Sequence, residues 1–146
     1  MNKARILDEV RIKISEKIKT LEHLIAQTRE SNNETKSSMG DKYETGREML
    51  QQEINTLQIQ LNANRKAEQS LKFLNINPHL AAGSGSLVET EAGFFYISVS
   101  LGEIKYINTK IYVISLDSPL AKAMHGKKKG EGFALNGKNQ TIKNIW

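Results

Sequence analysis

The sequence predicts an α+β protein in which an antiparallel coiled-coil hairpin precedes a small domain of short strands and one short helix. In the first half, apolar residues recur every three or four positions, which is the spacing of a coiled-coil helix. The second half instead contains short runs rich in β-branched and aromatic residues, separated by turn residues. The pattern changes at Pro78, so we predict a hairpin over residues 1–77 and a second domain over residues 78–146.

Two apolar seams define the predicted hairpin. The first helix carries Leu7, Val10, Ile14, Leu21 and Leu24, interrupted by Lys17 and widened by Ile18 and Ile25. The second helix carries Leu50, Ile54, Leu57, Leu61 and Leu71. The seams face each other if the numbers of paired residues sum to about 78, which puts the far end of the hairpin near residue 39. Turn and cap chemistry at Ser31–Glu34 and Ser37–Gly40 agrees with a tip near residues 37–46.

Five segments of the second half are predicted strands. They are Ser86–Glu91, Phe94–Ser100, Glu103–Ile114, Gly132–Leu135 and Thr141–Ile145. Between the third and fourth, residues 118–126 are predicted to form a short helix. Ser118 is its cap, Pro119 its first residue and Gly126 its terminator.

Composition narrows the class of protein. The 146-residue chain has no cysteine, three scattered histidines, a mean hydropathy of −0.48 and a net charge of +5. No apolar run approaches the roughly 18–20 residues of a membrane span, and no signal-peptide core precedes the first helix. We therefore expect a cytoplasmic protein with no membrane partner, no disulfide and no zinc site. Residues 1–78 carry 13 Lys or Arg against 11 acids, and the rest carry 8 against 5, so charge alone marks neither half as a nucleic-acid domain.

The segment Gly40-Asp41-Lys42-Tyr43-Glu44 places two carboxylates three positions apart at the predicted tip. One interpretation is structural, because Asp-x-x-Glu is the spacing of a helix capping box. The other is functional, because residues at this spacing project to the same side of a helix. Mg²⁺ is commonly held by one or two carboxylates together with water and phosphate oxygens. Such a pair cannot complete the octahedral shell alone, so we expect no metal on the free protein.

Two motifs together resemble the bacterial Gre family of transcript-cleavage factors, GreA and GreB. The first is Gly40, Asp41 and Glu44, matching the Gly-Asp-x-x-Glu of the family's coiled-coil tip. The second is the segment 118–130, Ser-Pro-Leu-Ala-Lys-Ala-Met-His-Gly-Lys-Lys-Lys-Gly, which is similar to a segment of the family's C-terminal domain. The resemblance implies an FKBP-like C-terminal domain and a transcription elongation factor. It also implies that the coiled coil enters the secondary channel of RNA polymerase and that the C-terminal domain docks at the channel rim.

The same resemblance implies roles for particular residues. Asp41 and Glu44 would help hold the second Mg²⁺ of the polymerase, whose own nuclease then cleaves backtracked RNA, so the protein is a cofactor of that activity and not itself an enzyme. Contacts with the nascent RNA 3′ end or the polymerase are expected from Lys36, Lys42, Tyr43 and Arg47. Docking contacts are expected from Ser118, Pro119, Leu120, Gly126 and Lys127. We expect a monomer, because the two seams satisfy each other within one chain.

The chain departs from the family directly after Glu44. The family usually continues with Asn-Ala-Glu-Tyr, whereas this chain reads Thr45-Gly46-Arg47-Glu48. The main alternative is therefore a secondary-channel binder that modulates or inhibits transcription without cleavage. A coiled-coil adaptor or an FKBP-like prolyl isomerase is a third possibility, although the C-terminal aromatics lie mostly in predicted strands, where core packing explains them.

Overall fold

The computed structural model describes the backbone of residues 1–37 and 44–146 and the side chains of residues 1–33 and 46–146. Two long helices precede a β-rich part with one short helix, so the predicted α+β class is confirmed. The chain divides into two compact units, one formed by Met1–Lys13 with Gln69–Trp146 and the other by Ile14–Glu68. The domain boundary predicted at residue 78 stays a prediction.

Helix α1 runs from Lys3 to Ser37 and helix α2 from Glu44 to Leu71. The prediction of turn chemistry at Ser31–Glu34 was wrong, because these residues continue α1. Their weak helix propensity is outweighed by the cooperativity of a 35-residue helix, in which each added residue contributes a hydrogen bond without a new nucleus.

The burial of side chains confirms both seams, but part of the buried stripe of α1 lies at other residues than predicted. Ile18 and Ile25 are buried, whereas Leu24 is 40% exposed, so the buried stripe of α1 passes through the isoleucines. Four-residue steps from Val10 to Ile14 and from Ile14 to Ile18 rotate the stripe relative to a strict heptad, because an α-helix has 3.6 rather than 3.5 residues per turn. On α2, Ile54 and Leu61 are buried as predicted.

The pairing of the two helices differs from the predicted one. Arg65 lies 3.6 Å from Glu22, and Ile25 and Leu61 line one groove together with Gln58. The residue numbers of the ion pair sum to 87 rather than 78. The ion pair is formed by side chains that flank the apolar seams, so the seams alone do not predict it.

Seven strands and helix α3 follow. The strands are β1 Leu87–Thr90, β2 Gly93–Ser98, β3 Gly102–Tyr106, β4 Thr109–Ser115, β5 Gly132–Leu135, β6 Lys138–Thr141 and β7 Asn144–Ile145. Helix α3 is Pro119–Met124. Five strands form one sheet in the order β3-β4-β2-β1-β7, in which β2 and β4 are parallel and the other pairs antiparallel. Strands β5 and β6 form a separate hairpin.

Two predicted strands are each divided in the structure. The run Glu103–Ile114 is a hairpin that turns at Ile107 and Asn108, and Thr141–Ile145 separates into the end of β6 and the whole of β7. The first turn was missed because it contains neither glycine nor proline, the residues on which turn recognition mainly depends.

One face of the sheet carries the core of the C-terminal part. Its buried members are Ala82, Val88, Phe95, Ile97, Ala121, Met124, Phe133 and Ile142. The ring of Phe95 stacks on Tyr112 with centroids 5.6 Å apart. The opposite side chain of β2, Tyr96, is fully buried, as are Ile6 and Val10 of α1 in the same compact unit.

Candidate functional site

The acidic tip falls mostly outside the described residues. Asp41, Lys42 and Tyr43 belong to the residues that are not described, and so do the side chains of Lys36 and Glu44. The backbone shows that α1 ends at Ser37 and that α2 begins at Glu44. The Gly-Asp-x-x-Glu motif therefore occupies the connection between two long helices and the first residue of the second. The roles of these five residues stay predictions.

Gly46 and Arg47 are the first residues of α2 whose surroundings the structure describes. Arg47 is half-buried and stands one heptad before Ile54, so it continues the seam of α2 toward the connection. A Cβ added at Gly46 would meet no atom within 4 Å. Packing within the described residues therefore does not require glycine at the point where the sequence departs from the Gre pattern.

The second motif forms the capped helix that the sequence predicts. The Ser118 hydroxyl accepts a hydrogen bond from the Ala121 amide at 3.2 Å and donates one to the Ser115 carbonyl at 2.8 Å. Pro119 follows at the first helical position, where its missing N–H leaves no donor unused. Gly126 has a φ of +76°, the left-handed conformation in which glycine commonly ends a helix.

Several of the predicted docking residues have structural roles within the C-terminal part. Leu120 packs against the core, and the Ser118 hydroxyl is occupied by the cap. The Gly126 amide donates to the Ala82 carbonyl at 2.9 Å, and the Lys127 carbonyl accepts from the Ala82 amide at 2.8 Å. The side chain of Pro119 is exposed, so it is free to meet a partner.

Replacement of Ser118 by alanine is expected to lower the free energy of unfolding by about 1 kcal/mol, because the Ala121 amide loses its acceptor. Urea unfolding measures this change. Ser100→Ala is the matched control, since Ser100 is exposed and outside any helix. An equal effect of the two substitutions would contradict the capping role.

A buried lysine was not singled out by the sequence. Lys3 is only 6% exposed, and its Nζ donates to the carbonyls of Asn77 at 2.7 Å and Gly85 at 2.9 Å. The same Nζ lies 2.9 Å from Nδ1 of His79. An ammonium group can donate hydrogen bonds but cannot accept them. Nζ therefore donates to Nδ1, and the neutral imidazole carries its proton on Nε2. These contacts join the first residue of α1 to the segment that follows α2.

Burial disfavours the charged forms of both groups. Desolvation lowers the pKa of Lys3 to about 8. Desolvation, followed by the positive charge of Lys3, lowers the pKa of His79 below its usual range, and hydrogen bonds with the backbone of Asn77 and Ser84 act in the opposite direction. Lysines at the first position of a long amphipathic helix are usually solvated, so no signal in the sequence marks this one.

The unfolding free energy is expected to rise with pH in two steps. Below pH 6.5 the unfolded chain protonates His79 more readily than the folded protein does, so acidification destabilises the fold. Above about pH 8 the folded protein releases the Lys3 proton while the unfolded chain keeps it up to about pH 10.5, so stability rises there. Each step has a slope of at most about 1.4 kcal/mol per pH unit.

Urea titrations at pH 5.5, 7.5 and 9.5 measure both steps. Lys3→Met should abolish the rise in unfolding free energy above pH 8. It should also reduce the loss of unfolding free energy at acid pH, since it removes the positive charge beside His79. His23→Gln, at an exposed position of α1, is the matched control. A flat profile between pH 8 and 10 in the unmodified protein would contradict the assignment.

Other site classes find no support in the described part of the chain. Among residues 1–33 and 46–146, no three His, Cys, Asp or Glu side chains come together as metal ligands. No helix within the described ranges has the length and apolar character needed to span a membrane. The ring of Trp146 lies beside that of Phe94, with centroids 6.2 Å apart. The backbone of Trp146 pairs with Leu87, in agreement with a role in closing the domain.

The chain is similar to the transcription factor Gfh1. A solved structure of Gfh1 is 16% identical to this chain, with a TM-score of 0.42 over 92% of each chain. GreA factor homologue 1 (Gfh1) of Thermus thermophilus is 18% identical, with a TM-score of 0.40 over 93% of this chain and 94% of the other. Gfh1 of Thermus aquaticus is 21% identical, with a TM-score of 0.33 over 87% and 92% of the two chains.

GreA factor homologue 1 is by its name related to GreA, the protein group that the two sequence motifs resemble. No protein-family profile matches the chain, and no curated protein matches it.

Proposed function

We propose that this protein is a transcription elongation factor that binds RNA polymerase through the secondary channel and stimulates the polymerase to cleave backtracked RNA. The observation that carries the proposal is the position of the acidic motif. Asp41 stands between two long helices and Glu44 begins the second. We infer from this position in the chain that the two carboxylates act on another molecule.

The two helices are long. Helix α2 has 28 residues, which corresponds to about 42 Å at a rise of roughly 1.5 Å per residue. Buried Ile25 and Leu61 lie between α1 and α2, and the exposed Glu22–Arg65 ion pair crosses from one helix to the other. The apolar contacts supply most of the stabilisation, since exposed ion pairs contribute at most about 1 kcal/mol.

The donor set at the tip fits Mg²⁺. Asp41 and Glu44 offer carboxylate oxygens, which are the ligands that this ion prefers, and leave most of an octahedral shell to water, to phosphate and to the partner's own residues. The metal, when bound, supplies charge stabilisation and a more acidic water molecule for phosphodiester hydrolysis. The role of this chain is to bring its two carboxylates to that place and to hold them there. The start of α2 at Glu44 favours this, because the N-terminus of a helix stabilises negative charge.

The C-terminal part supplies the second half of the proposal. The segment 118–130 resembles the Gre family and forms a capped helix with an exposed proline at its start. On α3 and directly after it, the side chains of Lys122, Lys128 and Lys129 are exposed, which gives this end a positive surface. We assign docking at the rim of the polymerase channel to this unit.

A backtracked elongation complex assembled with cognate RNA polymerase and Mg²⁺ tests the proposal. Addition of the protein should release short 3′ RNA fragments and restore elongation. Binding without any RNA release, together with competition against a known cleavage factor, would instead support the non-cleaving modulator. Gly46, three residues into α2, favours that alternative, because glycine loosens a helix end by about 1 kcal/mol relative to alanine.

A further inference from the structure

The turn between β3 and β4 has an unfavourable residue at its apex. Ile107 and Asn108 have φ values of +46° and +59°, so both central residues of this two-residue turn adopt the left-handed conformation. Turns of this kind favour Asn-Gly, and a β-branched residue with positive φ is an outlier. Strain of this kind persists where a function requires the residue.

Another two-residue hairpin turn of the same domain, between β5 and β6, follows the usual chemistry. Between β5 and β6, Asn136 and Gly137 have φ values of +53° and +77°. The two turns share their backbone conformation and differ in sequence. Isoleucine at position 107 is therefore not a requirement of the backbone.

Packing within the described protein does not compensate for Ile107 either. Its side chain is 73% exposed, so the folded chain gains little from its apolar surface. Directly behind the apex, Lys105 and Lys110 stand opposite each other across the two strands, and like charges in this arrangement are unfavourable. Glu103 lies 3.6 Å from Lys110 and offsets one of these charges, whereas Lys105 forms no ion pair within the described residues.

We propose that this hairpin tip, residues 105–110, is a docking element for an acidic protein surface that contains a small apolar pocket. Ile107 enters the pocket, and the lysines meet carboxylates at its rim. An exposed aliphatic side chain flanked by charges suits a desolvated pocket with a polar rim, the usual anatomy of a protein interface. Nucleic acid is disfavoured as the partner, because isoleucine can neither stack on a base as aromatic residues do nor form hydrogen bonds. The inference rests on the proposed function, since it takes RNA polymerase as the partner.

The test compares full-length variants for affinity to cognate RNA polymerase core and for thermal stability. Ile107→Asn removes the apolar anchor and places a residue that tolerates positive φ in the turn. We expect a loss of affinity of at least about tenfold and a rise in Tm of about 2–4 °C. Ile107→Val should keep most of the affinity. Asn136→Gly, at the other turn, is the matched control and should leave the affinity unchanged.

Each outcome decides the inference. Weaker binding together with higher stability supports it, because a merely structural residue would not change the two in opposite directions. Unchanged binding of Ile107→Asn by a protein that does bind polymerase overturns the inference and leaves the proposed function intact. Failure of the unmodified protein to bind polymerase overturns both. A loss of affinity for a 20-nucleotide single-stranded RNA in Lys105→Gln/Lys110→Gln, with polymerase binding unchanged in Ile107→Asn, would assign the tip to phosphate contact and overturn docking to protein.

Discussion

Replacement of Asp41 and Glu44 by asparagine and glutamine is expected to reduce transcript cleavage to the level of polymerase alone, while polymerase binding remains. The substitutions keep the size of the side chains and remove the negative charge that a divalent cation requires. The measurement is the rate of 3′ fragment release from a backtracked complex, with affinity determined in parallel. Retained binding is expected because the proposed docking residues lie in the C-terminal part.

The matched control for this double variant is Glu48→Gln, one helical turn after Glu44 on an exposed position of α2. It removes a carboxylate from the same helix end, and cleavage should persist. If the double variant cleaves as fast as the unmodified protein, the two acids serve as a helix cap and the metal role is wrong. Recovery of activity at higher Mg²⁺ concentration in the single variants would support a direct effect on metal retention.

Replacement of Gly85 by alanine is expected to lower the free energy of unfolding by about 2–5 kcal/mol. Gly85 has a φ of +88°, and an added Cβ would lie 2.9 Å from the Asn75 carbonyl oxygen and 3.4 Å from Cε1 of His79. The left-handed conformation costs a side chain about 1–2 kcal/mol, and overpacking adds about 1–3 kcal/mol. The backbone cannot easily move away, because the Gly85 amide donates to the Ile97 carbonyl at 2.7 Å and its carbonyl accepts from Lys3.

Gly126→Ala is the matched control for this prediction. Gly126 has a φ of +76°, but an added Cβ there would meet no atom within 4 Å, so only the conformational cost of about 1–2 kcal/mol applies. Urea unfolding followed by tryptophan fluorescence reports on the correct unit, since the single tryptophan, Trp146, belongs to the same unit as Gly85 and Gly126. Equal losses in the two variants would show that the close approach at Gly85 relaxes without cost.

Periodic features of the chain could be predicted with success. The two helices, the buried Ile54 and Leu61, and the Ser118–Pro119 start of α3 all follow from spacing and cap chemistry. These signals are local, because each depends on residues within one or two turns of each other. The acids of the proposed site were recognised for the same reason, because they belong to a short motif that lies between the two apolar seams.

Features that depend on distant partners were missed. The contact of Glu22 with Arg65 was missed, because the charged residues that form it are not visible in either apolar seam. The turn at Ile107 was missed, because isoleucine has no preference for the conformation that the β3–β4 pairing gives it.

By itself, the sequence determined the fold class, the two helices, the capped helix α3 and the location of Asp41 and Glu44 near the connection, because all of these depend on local pattern. Only the tertiary structure decided that Lys3 is buried against Asn77 and Gly85. It also decided that the Ser118 hydroxyl caps α3 and that Leu120 packs against the core. The physical reason is that burial and hydrogen-bond partners are set by residues many positions apart, so the same lysine or serine is solvated in one fold and enclosed in another.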